Sequence, residues 1–331
     1  MDYNYTLVMD IVQTWLITGG AGYIGAHIAD EFLANGKEVI VYDSLYQGLE
    51  SRVNFLCKKY KKNIPLIVAD IRDTRTLRHT IKQYEPQGIV HTAALKAVGE
   101  SMENPDQYFE VNFQATATLL KIISAYRIKN FIFSSTAAVY GASHHTELIS
   151  EGDTKRPISP YGASKLAAEE EVKKFLALPG NRGTSLRFFN VIGTGAPELS
   201  DNSIENLVPI VINKLRDGQP PVIYGTDYST ADGTCVRDYI DVRDIARAHR
   251  LTGDSFSTLP DALNVGTGRG KSVREVIKLV STSAGFTDVQ AIESDRRPGD
   301  SAFLCADVSL IKKAIGFSSK FPFEISVQSL F

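Results

Sequence analysis

The sequence predicts an α/β fold: a doubly wound parallel sheet with a smaller C-terminal lobe. Three observations predict it. Short apolar runs alternate with helical patterns up to Asn190, as strands joined by crossover helices require. A glycine-rich turn joins the first apolar run to the first helical pattern. After Asn190 the chain becomes irregular and richer in Gly, Pro and Asn. The expected domains are 11–190, to which the chain returns around 239–265, and a lobe formed by 191–238 and 266–331.

Composition narrows the function classes. A chain of 331 residues can bury a large core. Its 36 Lys and Arg nearly cancel 38 Asp and Glu, so no basic field invites nucleic acid or a charged membrane surface. No apolar run approaches the ~20 residues that span a bilayer. Residues 1–10 are not basic and lead into no signal-like cleavage site; they read as an extension ahead of the fold, with Met9 an alternative start. Cys57, Cys235 and Cys305 are scattered, with no C-x-x-C pair, which fits a reducing, cytoplasmic setting.

Thr14-Trp15-Leu16-Ile17-Thr18 is the first strand, and it runs into Gly19-Gly20-Ala21-Gly22-Tyr23-Ile24-Gly25. A helix follows with Ile24, Ile28, Phe32 and Leu33 on one side, and Asn35-Gly36 stops it. Residues 37–43 form a second strand ending in Asp43. In this context Gly19, Gly22 and Gly25 permit a tight turn, close approach to a pyrophosphate, and tight helix–strand packing. The helix N-terminus then faces the phosphates. This is the Rossmann arrangement for a dinucleotide. Asp43 can accept both ribose hydroxyls and would repel a 2′-phosphate. No Arg adjoins it, so NAD is favoured over NADP.

Further strands are expected at 66–70, 88–94, 130–136 and 184–190, with a helix over 107–126. Lys58-Lys59-Tyr60-Lys61-Lys62 reads as a solvated helix end. Asp70 and Ile71 follow the third strand near the expected adenine edge. The fourth strand ends in Ala93-Ala94, small enough for backbone to lie against a ligand. His91 reads as a packed strand residue, and His144-His145 as a loop without ligand partners, so no metal site is expected. The fifth strand ends in Ser134-Ser135-Thr136. Ligands collect beyond the carboxyl ends of such strands, so Thr136 belongs beside the cofactor; Ser134 and Ser135 could equally be strand-end caps. Beyond Asn190, 236–242 reads as a strand, 264–268 as a strand end, and 272–284 and 307–315 as helices.

Ser159-Pro160-Tyr161-Gly162-Ala163-Ser164-Lys165 carries the chemistry. Pro160 suits the first helical position. Tyr161 and Lys165 then share one helix face at i and i+4. A phenol is a poor base at neutral pH, and a fixed cation beside it favours the phenolate. The pair reads as an acid/base device for a hydroxyl proton.

Together the nucleotide loop, Asp43, Thr136 and Tyr161-x-x-x-Lys165 resemble the extended short-chain dehydrogenase/reductase superfamily. Longer stretches narrow the match: Leu95-Lys96-Ala97-Val98-Gly99-Glu100-Ser101, Phe131-Ile132-Phe133-Ser134-Ser135 with Val139-Tyr140-Gly141, and 224–240. These are similar to the UDP-glucose 4-epimerase family, from about residue 13 to the C-terminus. The resemblance implies NAD as cofactor, a UDP-sugar substrate and a homodimer. It implies Tyr161 as acid and base for the sugar 4-hydroxyl, Lys165 as the group that holds the nicotinamide ribose, and Thr136 as a partner near the reacting oxygen. It implies cofactor contacts at Tyr23, Ile24, Asp43, Ser44, Asp70, Ile71, Ala93, Ala94, Lys96, Asn112 and Phe189. It implies UDP-sugar contacts at Lys96, Asn190, Asn206, Leu207, Tyr224, Arg237, Arg297, Asp300 and Leu304. Independently of family, a diphosphate calls for forked cationic donors, which Arg237 and Arg297 can supply.

Three positions depart from the family. Ser44 stands where Asn is frequent, Phe188 where Tyr is frequent, and Leu304 where a residue limits substrate size. Leu304 is intermediate in bulk and leaves N-acetylated hexosamines open as substrates; an epimerase for UDP-glucuronate or UDP-pentoses is a separate rival reading. A 4,6-dehydratase is disfavoured, because Thr136 is followed by Ala137-Ala138 and not by an acidic pair. A non-catalytic NAD-binding sensor would explain the glycine loop but not Tyr161, Lys165 and Thr136 together.

Overall fold

The computed structural model describes residues 13–141, 147–203, 206–255, 257–297 and 300–331. The expected extension at 1–10 and the His144-His145 loop lie outside these residues. Thirteen strands are described: β1 Thr14–Thr18, β2 Glu38–Asp43, β3 Leu66–Val68, β4 Gly88–His91, β5 Asn130–Thr136, β6 Arg182–Phe188, β7 Asn190–Ile192, β8 Val222–Tyr224, β9 Val236–Asp241, β10 Ala262–Val265, β11 Gly270–Ser272, β12 Ile292–Ser294 and β13 Phe303–Leu304.

Seven of them make the main sheet, in the order β10-β6-β5-β4-β1-β2-β3. Every neighbouring pair is parallel. Trp15 and Ile17 point to one face of β1 and Leu16 to the other, all at most 1% exposed. Burial on both faces is why these strands read as continuous apolar runs. One face is covered by the Tyr23–Ala34 and Val242–Asp254 helices, through Ile28, Phe32, Ile245 and Ala248. The other is covered by Ala115–Ala125 and Pro160–Leu176, through Leu119, Ile123, Ala168 and Val172. Strand order reverses between β1 and β4, and that reversal opens a crevice at their carboxyl ends.

The expected helix over 107–126 is broken into Pro105–Tyr108, a π-helical segment at Phe109–Gln114, and Ala115–Ala125. Side chains compete for the backbone here. The Thr116 hydroxyl donates to the Asn112 carbonyl at 2.7 Å, while the Asn112 amide group turns to Leu95. Apolar spacing alone does not register such a bulge.

After β7 the chain builds a smaller body. β9 pairs with β7, β11 and β13, and β8 pairs with β12. Helices Leu207–Arg216, Val273–Ser283 and Phe323–Gln328 cover these strands with Val208, Val211, Val276, Val280 and Val327. The expected strand at 236–242 therefore joins the smaller sheet. The chain rejoins the main sheet with the Val242–Asp254 helix and then adds β10 at its edge.

Candidate active site

The crevice is a cleft of about 950 Å³. Gly19, Gly22, Tyr23, Ile24 and Gly25 line its floor. Gly19 has φ of +70°, and a Cβ there would lie 2.7 Å from the Ala93 nitrogen and the Thr92 hydroxyl. A Cβ on Gly25 would lie 2.1 Å from the Gly19 carbonyl oxygen. Only glycine fits either place. The Tyr23–Ala34 helix begins at Gly22 without a side-chain cap, so its first N–H groups remain available to an anion at the cleft.

Asp43, at the end of β2, lines the cleft with Ser44. Its carboxylate accepts from the Ala21 nitrogen at 3.0 Å and the Leu45 nitrogen at 2.8 Å. Burial raises its pKa, while these amides and the Arg52 charge oppose the rise. Arg52 acts on Asp43 through its charge. It is nine residues away in sequence but reaches back through space, donating to the Ala21 carbonyl at 3.1 Å and the Ser200 carbonyl at 2.5 Å. Asp70 and Ile71 also line the cleft. The Asp70 carboxylate is held low by hydrogen bonds from Arg72, which also reaches Glu110 at 3.0 Å.

Ala93, Ala94 and Lys96 form the next stretch of wall. Lys96 Nζ donates to Ser203 Oγ at 3.1 Å and lies 3.8 Å from the Asp201 carboxylate. Asn112 stands outside this wall, 1% exposed. Its side chain accepts from the Leu95 nitrogen at 2.9 Å and donates to the Leu95 carbonyl at 3.0 Å and Ser164 Oγ at 3.1 Å. It thus fixes the wall to the Tyr161 helix. Phe189 is also outside the wall, buried with Val139, Tyr140, Ile149 and Ala306.

Tyr161 and Lys165 line the cleft opposite the glycine loop. Their helix starts at Pro160, with Ser159 Oγ accepting from the Gly162 nitrogen at 3.1 Å. Lys165 is 3% exposed; its Nζ donates to the Ser134 carbonyl at 2.8 Å and sits 4.6 Å from the Phe133 ring centre. Burial lowers its pKa to about 7, against the pull of Glu169. Burial raises the Tyr161 phenol, and a hydrogen bond with Thr136 works the other way. The expected lowering of the phenol by Lys165 does not appear; Thr136 alone opposes the burial. Desolvation is the larger effect on both groups, and the ammonium bonds to a carbonyl of β5. Thr136 ends β5 and also accepts from the Ala138 nitrogen at 3.1 Å.

Ser134 and Ser135 both line the cleft. Ser134 Oγ meets His249 Nε2 at 3.0 Å, and Ser135 donates to the buried Glu169 carboxylate. His91 is packed as expected, between Thr18 at 2.6 Å and Thr116 at 2.9 Å, with its pKa lowered to about 3 mainly by burial. Among the described residues no group of three His, Cys, Asp or Glu could hold a metal ion.

The remaining expected positions lie on the smaller body. Asn190 opens β7. Asn206 precedes the Leu207–Arg216 helix and donates to Asp201 at 3.3 Å; Leu207 is that helix's first residue. Arg237 donates to the Val236 and Ser301 carbonyls at 2.9 and 2.7 Å and reaches Asp300 at 3.4 Å. The Arg297 guanidinium lies 3.9 Å from the centre of the Tyr224 ring, which ends β8. Leu304 pairs with Arg237 across β13 and β9 and packs on the cluster that holds Phe189.

A model of the NAD dependent epimerase/dehydratase family matches residues 15–266. The chain belongs to this family. Relatives within it are similar over nearly their whole length. A protein of Azospirillum brasilense named UDP-glucose 4-epimerase is 35% identical over 316 residues, covering 92% of this chain and 87% of that one. Its namesake from Bacillus subtilis is 35% identical, covering 92% of both chains. Among solved structures, the UDP-glucose 4-epimerase of Stenotrophomonas maltophila, with bound NAD and formylated UDP-arabinopyranose, has a TM-score of 0.90 at 32% identity, covering 96% of both chains. That of Bifidobacterium longum, in complex with NAD+ and UDP, has a TM-score of 0.87 at 34% identity, again covering 96% of both chains.

The cleft fits the family's NAD on its own terms. The glycine cradle admits a pyrophosphate, the uncapped helix end supplies N–H donors, and Asp43 can receive a ribose. The sequence pattern points to those parts because they are consecutive. It does not point to Arg52, Ser203 or Glu169. Arg52 and Ser203 meet the cleft only through tertiary folding. Glu169 had one signal, its spacing of four from Lys165.

Proposed function

We propose that this protein interconverts UDP-galactose and UDP-glucose, inverting C4 of the hexose by way of a transient 4-keto sugar. The observation that carries this reading is that Tyr161 and Lys165 stand in the wall of the cleft floored by the 19–25 loop. The names of full-length relatives at about one-third identity support it. NAD, when bound, supplies a reversible acceptor for the C4 hydride and a pyridinium charge.

In this reading Tyr161 takes the proton of the 4-hydroxyl and later returns it to the C4 oxygen of the turned keto sugar. To accept that proton the side chain must be a phenolate; burial opposes this by raising its pKa, and the pyridinium charge of bound NAD would favour it. Thr136 hydrogen-bonds the phenol and steadies the reacting oxygen. Lys165 holds the cofactor ribose. Arg237 and Arg297 grip the diphosphate with forked donors, and Tyr224, Leu207, Asn190, Asn206, Lys96 and Asp300 complete the set that holds the UDP-sugar. The hexose is gripped loosely, so the 4-keto sugar can turn while its diphosphate stays fixed; Leu304 limits the size of sugar that can do so. The protein works as a homodimer in the cytoplasm; among its described residues no helix is long and apolar enough to cross a membrane.

The test is to supply purified protein with UDP-galactose and no added cofactor. UDP-glucose should form. A protein that carries NAD yet converts neither this substrate nor UDP-N-acetylgalactosamine, UDP-glucuronate or a UDP-pentose is a sensor, and the proposal fails. Sedimentation at micromolar concentration tests the dimer.

A further inference from the structure

Tyr161, Lys165 and Glu169 follow one another at intervals of four on a single helix, so all three lie on its face toward β5 and β6. Glu169 is 6% exposed and is gripped by Arg187, which is 3% exposed. Arg187 Nε donates to the carboxylate at 3.0 and 3.2 Å and its terminal nitrogen at 2.6 Å. A pair of that kind often does no more than pin a helix to a strand. Here the carboxylate has two further relations. It accepts the hydroxyl of Ser135, which lines the cofactor cleft. Its charge also acts on Lys165, one turn closer to the site.

We propose that Glu169 is a positioning residue for the Tyr161–Lys165 pair: held by Arg187, it fixes Ser135 in the cleft wall and sets a carboxylate one helical turn from Lys165. This rests on the assignment of Lys165 to the epimerase site. The other groups facing Lys165 cannot perform the task. From its own helix there is the phenol of Tyr161, which is charged only while it serves as base. From β5 come the Ser134 carbonyl and the Phe133 ring. From β4 comes His91, neutral near pH 7 because burial takes its pKa to about 3. His249, on the Val242–Asp254 helix, reaches only the Ser134 hydroxyl and is likewise neutral, its pKa lowered to about 4. Arg187 is cationic and would repel the ammonium if Glu169 did not stand beside it. Glu169 is therefore the one standing carboxylate among these neighbours. Without it, burial shifts Lys165 further toward the neutral amine.

The experiment reads Lys165 directly. Protein carrying its NAD is labelled at lysine Cε with 13C and titrated by NMR from pH 6 to 10, with Lys165→Arg assigning the resonance. In Glu169→Gln the Lys165 midpoint should fall by about one pH unit, and the alkaline limb of kcat should move to lower pH by the same amount with KM little changed. Glu169→Gln strands Arg187, so Glu169→Asp is measured alongside. It keeps the ion pair but draws the charge back by one methylene, and should shift the midpoint in the same direction by less. A Lys165 midpoint that is unmoved in the folded Asp variant, or in a folded Gln variant, overturns the proposal. The titration needs no turnover, so wild-type protein without epimerase activity would count against the proposed reaction and leave the Glu169 result to be read separately.

Discussion

The Tyr23 hydroxyl donates to the Gly193 carbonyl at 2.5 Å, across 170 positions of sequence. One turn further along the same helix, His27 accepts from the Gly195 nitrogen at 2.9 Å and donates to the Tyr23 carbonyl at 2.8 Å. The helix that opens on the glycine loop is thus fastened to the connector leading into the smaller body. Tyr23→Phe removes the first fastening and leaves a carbonyl unpaired, at a cost of about 1 kcal/mol. The expected outcome is a melting temperature lower by about 2 °C and less NAD retained through gel filtration, read by absorbance of the released nucleotide.

Gly25→Ala is expected to be far more damaging. Its Cβ would meet backbone, the Gly19 carbonyl oxygen, at 2.1 Å, so loop and helix must part. Purified variant should carry no NAD, and circular dichroism should show whether the fold survives without it. NAD bound at the wild-type ratio would contradict the role given to the cradle.

Tyr161→Phe keeps the ring and removes the proton. A fall in kcat of about 10²–10⁴-fold is expected, with NAD still bound, because the glycine cradle is untouched. Steady-state kinetics beside a cofactor assay checks both halves.

Arg297→Ala addresses the proposed diphosphate grip. Losing a charged hydrogen-bonding group weakens binding by about 10–100-fold, and the loss should appear in KM for the UDP-sugar and in the affinity for UDP by calorimetry, with kcat much less changed. Its stacking on Tyr224 means that Tyr224→Ala should lower UDP affinity in the same assay.

Acid should unfold the protein through its histidines. Burial lowers His27 and His249 to about 4 and His91 to about 3. Unfolding returns each toward about 6.5. Between those values the unfolded chain binds more protons than the folded one, so stability is complete above pH 6.5 and falls as pH drops toward 4. Three such groups give a slope approaching ~4 kcal/mol per pH unit at its steepest. Denaturant melts at half-unit intervals from pH 7 to 4.5 test this, and His27→Gln should lessen the slope by about one proton.

What the sequence determined by itself was local and periodic. The apolar runs of β1, β2, β4, β5 and β6 dictate a parallel sheet, because strands buried on both faces have no polar alternation. The 19–25 loop and the Ser159-Pro160 start of the Tyr161 helix are legible because their chemistry lies within a few consecutive residues. The tertiary structure decided the rest. It brought Arg52 to Ser200, Lys96 to Ser203 and Tyr23 to Gly193, contacts that no periodicity reports. It put Asn112 to work on Leu95 and Ser164 through a π-helical turn. It also set the protonation of the central pair: Lys165 is drawn down and Tyr161 pushed up because both are desolvated. Spacing can put a phenol and an amine on one helix face, but the dielectric around them is made by the rest of the fold.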